Sequence, residues 1–173
     1  MLIPVVFRLP LLLAACLVVQ TAIVPQFAFR GRVIDLMLLL AVCAGLVGGS
    51  DRGAAIGFLA GMGTDLVVQT PFGMWALVGA VMGYSVGEVY SGFIRGGRFF
   101  RQITVGFALA SGTALYVVFG RLIGQSFLGD VSLLPIVLTV AIGGMIVSPL
   151  MMRATAWSFG YQAMPWDDDR AVA

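Results

Sequence analysis

Apolar residues run through this chain in long stretches, and polar residues cluster briefly between them. Taken in order, the stretches predict six helices, over residues 9–24, 33–49, 53–68, 72–93, 103–123 and 133–155. Each approaches the ~20 mostly apolar residues that a bilayer core of ~30 Å requires. The breaks differ in chemistry: Pro25 and the following FAFRGR, the charged turn GSDRG, the uncharged QTPFG, the basic IRGGRFFRQ, and GQSFLGDVS. Clusters rich in Pro, Gly and small polar residues are what ends a helix. The pattern therefore predicts an all-α, polytopic protein with six transmembrane helices, forming a single integral-membrane domain over 1–173 with short loops.

A second period lies beneath the hydropathy. Gly53, Gly57 and Gly61 are followed at the same spacing by Asp65, and Gly79, Gly83 and Gly87 by Ser91. Residues four apart share a helix face. A glycine inside a helix costs roughly 1 kcal/mol relative to alanine in water, whereas in lipid small residues let two backbones approach and pack by contact. The rows predict a closely packed transmembrane hairpin with Asp65 near its turn, each row meeting a helix of this chain or of a partner. The second predicted helix has its own row at Ala41, Gly45 and Gly49. The fifth carries Ala108, Gly112, Tyr116, Gly120 and Gly124 on one face.

Composition agrees with immersion in lipid. Of 173 residues, 60% are hydrophobic and 10% charged, with a mean hydropathy of +1.04, against about 25% charged in a soluble domain. The LAAC at Leu13 to Cys16 looks like a lipoprotein cleavage box. The apolar run continues past it through LVVQTAIV, however, which favours an uncleaved first span. All ten basic residues are arginine, so no lysine is available for Schiff-base chemistry. Histidine is absent, and Cys16 and Cys43 both fall inside apolar runs, so neither a metal centre nor a disulfide framework is expected. With no phosphate-cradling loop and no nucleophile beside a base, the chain is expected to be no enzyme and to need no cofactor. Nothing in it suggests nucleic-acid binding.

Charge placement predicts orientation. With the N-terminus in the cytoplasm, six spans leave Arg8, Arg52, Arg95, Arg98, Arg101, Arg153 and Arg170 inside and Arg30, Arg32 and Arg121 outside. Seven against three favours both termini in the cytoplasm. Arg95, Arg98 and Arg101 read as a basic cytoplasmic loop, contacting lipid headgroups or docking a cytosolic partner. An acid near the centre of a span costs roughly 2.5 to 3.5 kcal/mol on insertion. Asp35, three residues from Arg32 and able to pair with it, and Asp65 are therefore expected polar anchors in the outer half, Asp65 either between helices or toward a partner or substrate. Glu88 is expected to pair with Arg95 at the inner interface, and Trp157, Phe159, Tyr161 and Trp166 to form an interfacial aromatic belt.

Several blocks then fall into a recognisable order: Ile34-Asp35-Leu36-Met37 with its leucine run, GFLAGMGTDL, PFGMWAL, and Gly83-Tyr84-Ser85-Val86-Gly87. In order and spacing, residues 33 to 87 resemble the bacterial rod shape-determining membrane protein family MreD. After Gly87 the likeness thins to hydropathy. The resemblance implies a non-enzymatic scaffold of the cell-wall elongation machinery in the bacterial inner membrane. It would bind an MreC-like single-span protein and lie near MreB, RodA and the elongation transpeptidase. The same architecture is similar to the six-helix substrate-binding subunits of energy-coupling-factor vitamin transporters, which implies an alternative: a small-molecule binding subunit of an uptake transporter. Such a subunit needs convergent polar groups in an outer pocket, and the chain offers Gln20, Thr21, Asp35, Asp65, Gln69 and Trp75 there. A scaffold needs small-residue faces and a few polar anchors, in which the chain is richer.

Overall fold

A computed structural model describes residues 4–27, 33–68, 72–92, 97–122 and 133–161. Within these segments the protein is all-helical. Helix α1 (Val5–Val18) continues through a π-helical turn (Val19–Ile23) and a 3-10 turn (Val24–Phe27). Then come α2 (Leu36–Gly48), α3 (Ser50–Val67), α4 (Met74–Gly92), α5 (Arg98–Leu122) and α6 (Leu133–Ser158). Three stretches, Phe7–Gln26, Arg98–Leu122 and Leu133–Ser158, are long and apolar enough to cross a membrane. The chain is a helical membrane protein.

Helix α2 is the axis of the bundle. Its 13 residues give about 20 Å of helix at 1.5 Å per residue, short of a bilayer core of about 30 Å. It does not meet that thickness alone, because it packs against each of the other five helices. Every residue from Leu36 to Val47 is buried, as suits a helix that is apolar all round, which belongs in a core or in lipid. The predicted start of this helix at residue 33 moves to Leu36, since residues 33–35 lie outside the helix and Asp35, with extended backbone, caps the first turn. Around α2, the outward faces carry Phe58, Leu66, Phe107, Ile146 and Leu150. Apolar exposure on that scale belongs to a surface in contact with lipid or another protein.

Two boundaries differ from expectation in ways that matter. Helix α5 begins at Arg98 rather than Ile103, so Arg98 and Arg101 belong to its first turn and not to a loop. Arg101 is buried, with 9% of its surface exposed. Hydropathy delays the start because it scores arginine as polar, although arginine is a strong helix former whose stem covers apolar surface. Arg95 lies outside the described residues. Helix α6 runs unbroken through Pro149 to Ser158. Pro149 has no N–H to offer the Met145 carbonyl. The Ser148 hydroxyl takes its place, 3.0 Å from that oxygen and 2.7 Å from Oε1 of Gln102 on α5. Such side-chain compensation is how proline survives in membrane helices.

Candidate functional site

The two glycine rows meet within the chain. A Cβ built on Gly57 would fall onto the Gly79 carbonyl, and one built on Gly79 onto the Gly57 carbonyl; Gly53 and Gly83 are related in the same way. Gly61 lies on the backbone of Trp75 and Ala76, and Gly87 on that of Ser50. Helix α2 joins at the middle. Gly45 abuts the same Gly83 carbonyl, and a Cβ on Gly53 would stand 2.7 Å from the Gly45 Cα. Three backbones thus converge at Gly45, Gly53 and Gly83, with no room for a single side-chain carbon. Gly49, between α2 and α3, has φ of 85° and lets one helix follow the other with a single residue between them.

Asp65 closes one end of this seam. It sits in the last turn of α3, buried at 5% exposure, and its carboxylate points across to the start of α4. Oδ2 accepts from the N–H groups of Gly73 at 3.0 Å and Ala76 at 3.1 Å, and Oδ1 from that of Trp75 at 3.2 Å. Those are first-turn donors that a helix cannot satisfy itself. Gly73 reaches the carboxylate through a left-handed backbone, φ 96°. Asp35 does the same within its own helix, Oδ1 accepting from the Leu38 N–H at 2.9 Å. Beside it Gln20, carried by the π turn, donates to the Ile34 carbonyl at 3.2 Å and accepts from the Leu36 N–H at 2.8 Å. Trp75 stacks on Tyr116 of α5 with ring centroids 4.1 Å apart. Asp65 and Gln20 tie neighbouring segments together and Asp35 caps its own helix, while the Trp75 indole N–H is buried with no hydrogen-bond partner among the described residues.

The other end of the bundle is held by arginine and aromatic rings. Arg8 donates to the Trp157 carbonyl at 3.2 Å with its guanidinium 5.2 Å from that ring's centroid. Arg52 donates to the Tyr161 hydroxyl at 2.8 Å and lies 5.3 Å from the Phe159 ring. Gly48 admits Phe159, whose Cε2 would stand 2.6 Å from a Cβ there. The predicted belt residues Trp157, Phe159 and Tyr161 therefore also tie the end of α6 to α1 and α3; Trp166 lies outside the described residues. Glu88 is exposed, and its expected partner Arg95 is likewise outside them, as is Arg32, the expected partner of Asp35.

A lateral cleft of about 630 Å³ opens where the π turn, the start of α2 and the first half of α6 diverge. Val24, Ile34, Leu36, Leu138, Ile142 and Ile146 are among its lining residues, and its one hydroxyl, that of Thr139, is turned back to the Pro135 carbonyl at 2.7 Å. Sequence reasoning found the glycine rows and both acids. It missed Gln20 as a clamp and Gly45 as the third partner of the seam, although the row containing Gly45 was visible. Compared with protein-family models, curated proteins and solved structures, the chain matches none.

Proposed function

We propose that this chain is a non-enzymatic scaffold of the bacterial cell-wall elongation machinery, an MreD-like protein that binds an MreC-like single-span partner. In this reading it crosses the inner membrane six times with both termini in the cytoplasm. The observation that carries the reading is the ordered series of blocks between residues 33 and 87. Those blocks coincide with α2, α3 and α4, the three helices locked together by glycine. A scaffold has to present fixed helix faces, and a backbone-to-backbone seam capped by Asp65 is a means of fixing them. Orientation is supported by the arginines, since Arg8, Arg52, Arg98, Arg101 and Arg153 fall at the end opposite Asp35 and Asp65.

The transporter-subunit alternative receives less support. Asp35, Asp65 and Gln20 are spent on backbone N–H and C=O groups rather than converging on a cavity, and the lateral cleft has an aliphatic lining. Affinity purification of the tagged full-length chain from its own membranes tests the two. Recovery of an MreC-like protein, with loss of rod shape on depletion, is the expected result. Recovery of the ATPase subunits of a vitamin transporter instead would overturn the proposal.

A further inference from the structure

One exposed helix face differs from the others. Through the middle of α5 and α6 the exposed Ile103, Phe107, Val118, Leu138, Ile142 and Ile146 are all apolar, as suits lipid. On α4 the exposed row is Leu77, Val81, Tyr84, Glu88 and Ser91. Its spacing alternates four and three residues, which keeps the row on one line and is the register at which a second helix packs at a shallow angle. The row spans about 21 Å of the 19-residue helix. Tyr84, 47% exposed, stands about 12 Å from the nearer end of α4. Its hydroxyl has no hydrogen-bond partner among the described residues, and acyl chains offer none. The neighbouring Ser85 hydroxyl satisfies itself on the Val81 carbonyl at 2.7 Å; a phenol oxygen, held away from its own backbone by the ring, has no such recourse.

Charge narrows the choice of what covers this row. The Glu88 carboxylate, one turn beyond Tyr84, makes neither a hydrogen bond nor an ion pair among the described residues. The described cations at that end of the bundle are Arg8, Arg52, Arg98, Arg101 and Arg153. The other acid there is the exposed Asp51, whose neighbour Ser50 lies on the Gly87 backbone. The edge formed by α3 and α4 is therefore where this arginine-rich end presents negative charge, and a cation is what complements it. The row is also rigid, because Gly79, Gly83 and Gly87 hold another side of α4 backbone to backbone against its neighbours, so its side chains are set before a partner arrives. A second copy meeting through the same row would set Glu88 against Glu88, so the partner is a different protein.

We propose that this row of α4 is the docking surface for a transmembrane helix of another protein, one that sets an arginine or lysine against Glu88 and an oxygen acceptor against the Tyr84 hydroxyl. Leu77 and Val81 supply the apolar half of the seam, where packing alone holds the two helices. The scaffold reading is not required: the surface asks for a helix and a cation, whatever protein supplies them.

A photoreactive residue at position 81 of the full-length chain, illuminated in its own membranes, tests it. Mass spectrometry should map the product to a transmembrane segment of one other protein, with an arginine or lysine about two turns away along that helix. Glu88→Lys should lower the yield about tenfold, and replacing the mapped cation by glutamate should restore it. Tyr84→Phe, which keeps the ring, should lower it about threefold. The same photoreactive residue at position 107, on the apolar face of α5, should trap lipid. A product with lipid alone at position 81, with a second copy of this chain, or with a segment lacking a cation would overturn the proposal. So would a yield that Glu88→Lys leaves unchanged, one that the reversed cation fails to restore, or equal capture of the same protein at position 107. Because a misfolded variant is not rescued by a charge on its partner, the restored yield separates lost docking from lost folding.

Discussion

Asp65 is held where two helix dipoles act on it in opposite senses. The end of α3 disfavours a negative charge, and the start of α4 favours one and supplies three N–H donors. Since the Ala76 N–H is buried and those of Gly73 and Trp75 are part-buried, removing the carboxylate leaves them short of an acceptor. Asp65→Ala is expected to lower stability by about 2–4 kcal/mol. Asp65→Asn should lie between it and the native protein, because its amide keeps one acceptor oxygen but turns an NH₂ group toward a donor. Asp35, which caps the Leu38 N–H of its own helix, should cost less when replaced by alanine, about 0.5–2 kcal/mol. Unfolding midpoints in mixed detergent micelles measure the series. An Asp65→Ala protein as stable as the native one would remove Asp65 from the joint between α3 and α4.

Between elements, the governing contact is backbone on backbone. At Gly57 and Gly79 an added methyl group meets a carbonyl that cannot swing aside, whereas at Gly63 it would lie 3.3 Å from the mobile end of Met37. Gly57→Ala and Gly79→Ala should each destabilise by about 1–3 kcal/mol, and Gly63→Ala should be close to neutral. Similar losses at all three positions in the same unfolding assay would mean that helix propensity or lipid exposure, not close approach, governs these glycines. The four-residue spacing of each row was plain in the sequence because it lies within one helix. Which glycine faces which was not, since one sequence carries no coupling between residues on different helices. For the same reason the arrival of Gly45 at the Gly53–Gly83 contact was illegible. Gln20 was hidden differently: it is one amide in an apolar run, and only the π turn, which shifts the register of side chains along the helix, aims it at residues 34 and 36. The start of α5 was misread because Arg98 and Arg101 are polar by hydropathy yet helical by propensity.

At the scale of the molecule, α2 is enclosed by five helices, and the two ends of the bundle differ in chemistry. One end is joined by carboxylate and amide caps, the other by arginine set against Trp157, Phe159 and Tyr161. That polarity parallels the arginine bias from which the orientation is proposed, because membrane proteins carry their excess of arginine and lysine on the cytoplasmic side. Single cysteines can read the orientation directly, since the native Cys16 and Cys43 are both buried and should contribute little labelling of their own. Asp51 and Phe72 are exposed at opposite ends of α3 and α4. A membrane-impermeant maleimide applied to intact spheroplasts should label Phe72→Cys, and should reach Asp51→Cys only after the membrane is opened. The reverse pattern would place both termini outside. Equal labelling of the two from one side would mean that α3 does not cross, which would undo the proposed six-span arrangement at the helix that carries the first glycine row.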